Sequence, residues 1–433
     1  MTQPESWPEI WPGTWYARTA ADRRTRPSLD GAGEADVIVV GAGLAGLTTA
    51  LHLARTGMRP LVLEAKSVGF GASGRNGGLV SPAFSAGDAA IRKRVGEDHA
   101  RALHRLSIEG VNRLRATIRD LGITSADPVP GLLSLRRFDQ AQDLKDHVED
   151  FARTYDYEMT YLDRKALANH VDSPRYFHAV HDPNAFHIHP LNTVRGIAAE
   201  VERLGGVIHE ASPVTGVELA GPVKRVTTTQ GRAEAPRIVF ATGGYTGPLV
   251  PRLQQAVLPI ATYMMISAPA PDLIAGAIRT RACMYDDRRA GDYYRLVDGG
   301  ARLLWGGRIT TRAADPAGIA RELRREMRTA YPQLAGLKTE LCWSGLMGYA
   351  RHLMPQVGQL APDAWHITAF GGHGLNTTAI AGKVLAEAIL GESDRIRLFA
   401  PFGLDWAGGR IGLLAAQLTY WKLQAQDWWR ERG

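Results

Sequence analysis

Val37, Ile38, Val39 and Val40 form an unbroken run of β-branched residues. That is the pattern of a strand buried on both faces, not the alternation of a half-solvated one. The run stops at Gly41-Ala42-Gly43-Leu44-Ala45-Gly46, after which Leu47, Ala50, Leu51 and Ala54 recur at helical spacing as far as Gly57. A second apolar strand, 60–63, ends on Glu64-Ala65. The pattern predicts a βαβ unit that holds a dinucleotide. Gly41 makes the turn out of the strand, Gly43 lets backbone approach a pyrophosphate, and Gly46 lets the helix lie close on the sheet. The first helical turn, with Leu44 and Ala45, aims its N–H groups at the phosphates. Glu64 lies roughly 20 residues beyond the glycines, where it accepts from an unphosphorylated ribose, which specifies FAD or NAD rather than NADP.

Downstream, the period changes repeatedly. Leu103, Leu106, Val111, Leu114, Ile118 and Leu121 predict a helix within 88–121, and 141–155 and 163–170 predict two more. Residues 132–135 form a short strand. His189-Pro190 opens a helix running to about 204, with Pro190 suited to a first-turn position. Strands follow at 207–209, 214–219 and 223–228. The apolar run 237–240, ending in Ala241-Thr242-Gly243-Gly244, returns the chain to the nucleotide-binding sheet. Segments 257–267, 293–297 and 302–307 alternate as antiparallel strands. A helix over 316–331 precedes 343–349. The strand 365–370 runs through Gly371-Gly372-His373-Gly374-Leu375-Asn376 into a helix at 377–390, and Gly391 stops it. In the tail, Ile411, Leu414, Leu418, Trp421, Ala425 and Trp428 share one helical face. That face predicts a helix docked on the body, or one lying in a membrane interface.

These elements divide the chain into an arm (1–35), a discontinuous nucleotide-binding unit (36–86, 190–245 and 355–395), a substrate unit (87–189 and 246–354) and the tail (396–433). Trp7, Trp11, Trp15 and Tyr16 predict that the arm docks on the body. With 433 residues, 45% hydrophobic and 22% charged, the chain is too long for a single core. The N-terminal residues have neither a basic region nor an apolar core of the secretory type, so a cytoplasmic location is expected. Net charge is +7, spread along the chain with no basic-aromatic array of the kind that binds nucleic acid. Cys283 and Cys342 are the only cysteines, so no cysteine cluster for a metal is encoded. His178, His181, His187 and His189 are dense, but they lack cysteines or paired carboxylates at ligand spacing, and no metal is expected. No second strand–GxGxxG–acid unit occurs, so one nucleotide is expected, without the second site of an NAD(P)H-linked flavoenzyme.

Small residues crowd Gly69-Phe70-Gly71-Ala72-Ser73-Gly74-Arg75-Asn76-Gly77-Gly78, as a backbone approaching a flat or polyanionic group requires. That loop, the N-terminal fingerprint and FGGHGLNTTAIAGKVLAEAI together resemble the D-amino-acid oxidase superfamily of FAD flavoproteins, over nearly the whole chain. ATYMMIS, DYYRL followed by RLLWGG, and the basic aromatic tail resemble its gamma-glutamylputrescine oxidase branch. The resemblance implies an α/β fold: a doubly wound, discontinuous FAD-binding domain, with a substrate domain built on a mixed, largely antiparallel sheet. It implies oxidation of a primary or secondary amine by hydride transfer to flavin N5, hydrolysis of the imine, and electron transfer to O2 or, alternatively, to a quinone at a membrane. Carried over, Ala72, Ser73, Arg75, Asn76, Gly77 and Gly78 line the flavin, Val214 the adenine, Thr242 and Gly243 the phosphate or ribitol, and Gly372, Gly374, Leu375 and Asn376 the pyrimidine end. Sarcosine oxidases tether flavin through a cysteine before the last glycine turn. Met347-Gly348-Tyr349 stands in that region here, so the FAD is expected to be non-covalent. Tyr263, Met265, Tyr294 and Trp343 are expected as pocket walls, and Arg308 and Arg351 as partners for a substrate carboxylate. His373 is expected at the substrate, or as a positive charge beside oxygen.

Overall fold

All four residues of the strand Val37–Val40 are buried. The strand lies inside a six-stranded sheet whose order is Gln356–Ala361, Ala364–Thr368, Arg237–Phe240, Val37–Val40, Pro60–Leu63 and Val207–His209. Only the edge hairpin, Gln356–Ala361 on Ala364–Thr368, is antiparallel. The computed structural model describes residues 13–288, 291–311, 314 and 316–431. The helices Leu44–Ala54 and Gly374–Leu390 cross closely, because a Cβ on Gly382 would stand 2.8 Å from the Thr48 side chain. A third helix, Glu97–Asp120, packs on the second of these at Gly110. One helix was expected over 88–121, but the segment is two, Asp88–Val95 and Glu97–Asp120, broken at Gly96 with φ +82°. The helix expected over 163–170 is only Arg164–Leu167.

A mixed sheet lies beside this layer. Its order is Thr339–Tyr349, Leu258–Ser267, Arg302–Thr310, Tyr293–Val297, Cys283–Asp286, Val129–Arg136, His178–His187 and Leu79–Val80, with Thr160–Leu162 also on His178–His187. Every pairing in it is antiparallel except Cys283–Asp286 with Val129–Arg136. The helix Pro316–Ala330 covers one of its faces. A small third sheet contains two strands that no hydrophobic alternation announced. Gly31–Glu34 runs parallel to Gly231–Ala235, so the arm ends as a strand.

Trp7 and Trp11 lie outside the described residues. Tyr16 is fully buried in a cluster with Met264, Leu304 and Trp343, and Trp15 packs against that cluster. The tail is a helix, Gly409–Arg430. Its expected apolar face does share one side, but that side is exposed, and the buried residues are Gln417, Tyr420 and Asp427. The helix therefore docks through its polar side, which corrects the expected orientation.

A Cβ on Gly110 would stand 2.3 Å from the Asn376 carbonyl oxygen. Gly110→Ala should destabilise the protein by about 1–3 kcal/mol by forcing two helices apart. Thermal denaturation measures the loss.

Candidate active site

Gly41 has φ +108°, and a Cβ there would meet the Ala241 carbonyl oxygen at 2.7 Å. On Gly46 a Cβ would come to 2.1 Å from the Gly41 carbonyl oxygen. Neither position admits a side chain, so the turn is a backbone cradle. Leu44 N–H donates to Ser73 Oγ at 2.8 Å, which ties the helix start to the second glycine loop. The N–H groups of Gly43 and Ala45 find no acceptor among the described residues. Glu64 receives Ala42 N–H at 2.9 Å and Lys66 N–H at 3.0 Å. Burial pushes its carboxyl above the usual range. Ala65, beside it, is exposed. Ser212 N–H donates to the Glu64 carbonyl at 2.8 Å, which brings the half-buried Val214 to the same end of the sheet. A cradle with unpaired N–H donors and an acid at its rim fits the pyrophosphate and ribose of FAD.

The second loop is braced by its own side chains. Ala72 opens a short 3-10 turn, Ala72–Gly74. Arg75 lies 4.5 Å over the Phe70 ring and donates through Nε to the Phe70 carbonyl at 2.6 Å. Asn76 Nδ2 donates to the Ala72 and Ser73 carbonyls, both at 3.0 Å, and its Oδ1 accepts Gly78 N–H at 2.8 Å. Asn76 was expected to line the flavin, and its amide is used in shaping the loop. Two residues missed in the sequence hold this loop from behind. Tyr16 Oη donates to the Asn76 carbonyl at 2.8 Å. Buried Arg295 donates to the carbonyls of Gly77 at 2.6 Å and Ile188 at 2.8 Å, to His187 Nδ1 at 2.9 Å and to Tyr16 Oη at 3.1 Å. All four acceptors are neutral. An apolar strand with one embedded arginine was the available signal.

The mixed sheet sorts the expected wall residues by face. Met264 pairs with Trp343 and Gly306, Gly306 with Tyr293, and Thr262 with Gly345. This row faces the loop. Trp343 Nε1 donates to the Arg75 carbonyl at 3.0 Å, a Cβ on Gly345 would touch Arg75, and one on Gly77 would meet the Tyr293 ring at 2.7 Å. Tyr263, Met265 and Tyr294 lie on the opposite face, in a core closed by Leu323 and Met327. Tyr294 stacks on Trp305 at 4.1 Å, and its hydroxyl contacts those of Tyr331 at 2.7 Å and Tyr176 at 3.2 Å. Tyr263 and Tyr294 are therefore core residues here. The neighbouring Tyr293 takes the loop side, with its hydroxyl 3.3 Å from Thr262 Oγ1.

Arg308 is also committed elsewhere. Its Nη2 donates to Glu326 Oε1 at 2.8 Å, and Nε lies 3.2 Å from Glu322 Oε2. Arg351 is exposed on the turn after Thr339–Tyr349. The Arg308 guanidinium is thus already paired, and the Arg351 side chain stands in solvent. Thr242 Oγ1 pairs with Thr246 Oγ1 at 2.6 Å, and Gly243 turns at φ +54° against Gly348. Gly372 N–H donates to Ser85 Oγ at 2.7 Å. Gly374, Leu375 and Asn376 open the following helix, and Asn376 Nδ2 donates to Ser107 Oγ at 3.0 Å. His373, the residue before that helix, is half-buried, and desolvation lowers its pKa to about 4. It is neutral at pH 7, so the positive charge expected of it is not supplied. The dense histidines are engaged separately: His178 with Asp139 at 2.7 Å, His187 with the Arg281 carbonyl at 2.9 Å, and His189 with Asn192 N–H at 3.1 Å. Cys283 and Cys342 are buried and form no disulfide.

This cradle, loop and roofing sheet define a flavoprotein oxidoreductase. The profile of the family described as DAO, FAD dependent oxidoreductase, matches residues 36–388, and the chain belongs to that family. It is 34% identical to gamma-glutamylputrescine oxidoreductase of Escherichia coli over 418 residues, 95% of this chain and 97% of that protein. It is 26% identical to a glycine oxidase of Bacillus licheniformis over 82% of this chain and 93% of the relative. Among solved structures, glycine oxidase from Geobacillus kaustophilus superposes with a TM-score of 0.72 at 19% identity, covering 86% of this chain and 99% of that one. The enzyme is FAD-dependent and acts, like its relatives, in the amine and amino-acid class.

His187 and His189 have pKa values lowered to about 3 and about 4 by burial and by Arg295, and His373, before the helix Gly374–Leu390, is lowered to about 4 by burial. Unfolded, each binds a proton near pH 6.5. The unfolded state therefore holds more protons below that pH, and stability falls as pH drops from about 6.5 toward about 4. Thermal melts at pH 7 and pH 4.5 should differ by several degrees, with flavin released in the acid sample.

Proposed function

We propose that the chain oxidises a primary or secondary amine of the gamma-glutamylputrescine type, whose reacting carbon bears no carboxylate. The supporting observation is that the cations described at the loop-facing row are already engaged. Thr262, Tyr293, Met347 and Tyr349 are its half-buried members, and burial raises the Tyr349 pKa to about 12. Arg308 is held by two glutamates. Among the described residues, the cations at this row are Arg75, which is stacked into the cofactor loop, and Arg295, which is spent on the Gly77 and Ile188 carbonyls, His187 and Tyr16. Such a surface desolvates an ammonium group and favours the neutral amine, the form whose α-hydrogen leaves as hydride. Tyr293 and Thr262 orient the amine, and Tyr349 and Met347 exclude water. FAD held by the Gly41–Gly46 turn and the Ala72–Gly78 loop would supply the hydride acceptor, and the overall balance is amine, O2 and water to aldehyde, the released amine or ammonia, and H2O2. Water takes up the imine after it leaves the row, so no side-chain base is needed. The proposal includes a cytoplasmic location, which two buried cysteines outside any disulfide fit. A quinone in place of O2 is favoured by one observation, the exposed apolar side of the tail helix.

Anaerobic absorbance tests the assignment. Gamma-glutamylputrescine should bleach the flavin, whereas sarcosine and D-alanine should not, and air should restore the colour with release of H2O2. Bleaching by the amino acids alone would overturn the substrate class. Restoration by a quinone but not by air would overturn O2. The bleaching rate should rise with pH as the substrate amine deprotonates, with no inflection from His373, which is already neutral above about pH 4.

Neighbouring tyrosines should behave differently. Tyr293→Phe should lower kcat/KM about tenfold, the worth of one hydrogen bond, with flavin retained. Tyr294→Phe should spare kcat/KM and cost about 1–3 kcal/mol of stability by leaving buried hydroxyls unpaired. Steady-state kinetics and melts on the two variants separate these effects.

A further inference from the structure

The tail helix Gly409–Arg430 presents a continuous apolar side to solvent. Ile411 is 73% exposed, Leu414 59%, Trp421 50% and Trp429 71%, and Leu418, Trp428 and the preceding Trp406 are exposed as well. At 1.5 Å per residue the stripe from Ile411 to Trp429 is about 27 Å long. A contiguous apolar surface of this kind marks an interaction site. The helix is locked in this orientation from its other side. Thr311 N–H donates to Gln417 Oε1 at 3.0 Å, Tyr420 and Asp427 are buried, and Glu431 pairs with Arg137 at 2.7 Å and Arg175 at 3.6 Å.

Charge follows the same division. Arg410 and Lys422 are exposed, Arg430 stacks over the Phe138 ring of the body at 4.1 Å, and both acids of the segment point inward, Asp427 buried and Glu431 in its ion pairs. Asp405, just upstream, is paired with Arg94. The outward side thus combines tryptophan, leucine and cations.

We propose that this side seats on an anionic lipid bilayer, with the helix lying in the plane of the headgroups. Tryptophans at that depth keep their rings in the apolar boundary and their N–H groups wet. The cations meet lipid phosphates. No described helix is long and apolar enough to cross a membrane, so the contact is peripheral. A second copy is the poorer occupant. Two stripes about 27 Å by 10 Å bury on the order of 500 Å² together, below the ~1,200 Å² of a specific interface, and they would bring Lys422 of each copy into one patch. The proposal goes beyond the amine assignment and does not depend on it.

Co-sedimentation of the full-length, FAD-loaded protein with vesicles provides the test. Phosphatidylcholine mixed with phosphatidylglycerol should carry down at least about ten times more protein than phosphatidylcholine alone, with release by added salt. The double variant Leu418→Glu/Trp421→Glu should lose that binding while keeping its flavin absorbance. Lys422→Glu, which leaves the apolar side intact, should weaken binding to anionic vesicles only. Protein that stays in the supernatant with every vesicle, or a double variant that sediments like the wild type, would overturn the proposal. So would a dimer in gel filtration that the double variant splits, which would assign the face to a second copy.

Discussion

The structure depends on how closely backbone can approach backbone where the parallel strands end. The Gly41 turn leaves no room for a Cβ against Ala241, and Gly46 leaves none against Gly41 itself. The returning strand Arg237–Phe240 must therefore end in small residues, and it does so in Ala241, Thr242 and Gly243. Gly348 packs on Gly243, and a Cβ on Gly371 would stand 2.2 Å from Ser85 Oγ. These contacts link segments far apart in sequence through main chain alone, which is the geometry that leaves N–H donors facing outward for a dinucleotide.

Against this rigid base the roofing sheet has two unlike faces. One is sealed by Tyr176, Tyr294, Trp305 and Tyr331 under the helix Pro316–Ala330, and its hydroxyls bond one another. The other meets the cofactor loop through Trp343 and Arg295. Arg295 is buried and reaches only neutral acceptors, which is a costly way to hold two carbonyls in place. A cation satisfied by main chain does hold geometry, because each acceptor is fixed by the backbone around it. The loop is thus set from below by glycine sterics and from above by one arginine.

This division explains which parts of the site were legible in the sequence. Gly41 and Gly46 were legible because sterics at both permit no side chain, and Glu64 because its spacing from them is fixed. Wall residues were legible as strand positions but not as faces. Period two separates Tyr293 from Tyr294 without saying which looks toward the cofactor, and tertiary packing chose the first. Arg308 looked free because its partners, Glu322 and Glu326, lie on a helix that the sequence placed but did not orient. Asn76 looked like a cofactor donor because the loop's internal hydrogen bonds have no sequence signature. The amphipathicity of the tail was equally clear, and its sign was not.

That sign follows from buried charge. Glu431 pairs with Arg137, Arg137 with Asp286, Asp286 with Arg288, Arg288 with Glu326, and Glu326 with Arg308. Most of these side chains are shielded from water, where breaking one link strands an uncompensated charge at a cost of about 3–5 kcal/mol. Rotating the tail to bury its leucines and tryptophans would pull Glu431 away from this chain of pairs and expose Gln417, Tyr420 and Asp427 in exchange. The inverted helix is therefore held by electrostatics against the hydrophobic effect, and the same chain of pairs ends at Arg308, whose carbonyl accepts from Thr262 at 3.1 Å in the loop-facing row. The tail and the loop-facing row are fixed by one network, so the orientation that leaves the apolar stripe exposed belongs to the same structure that shapes the site.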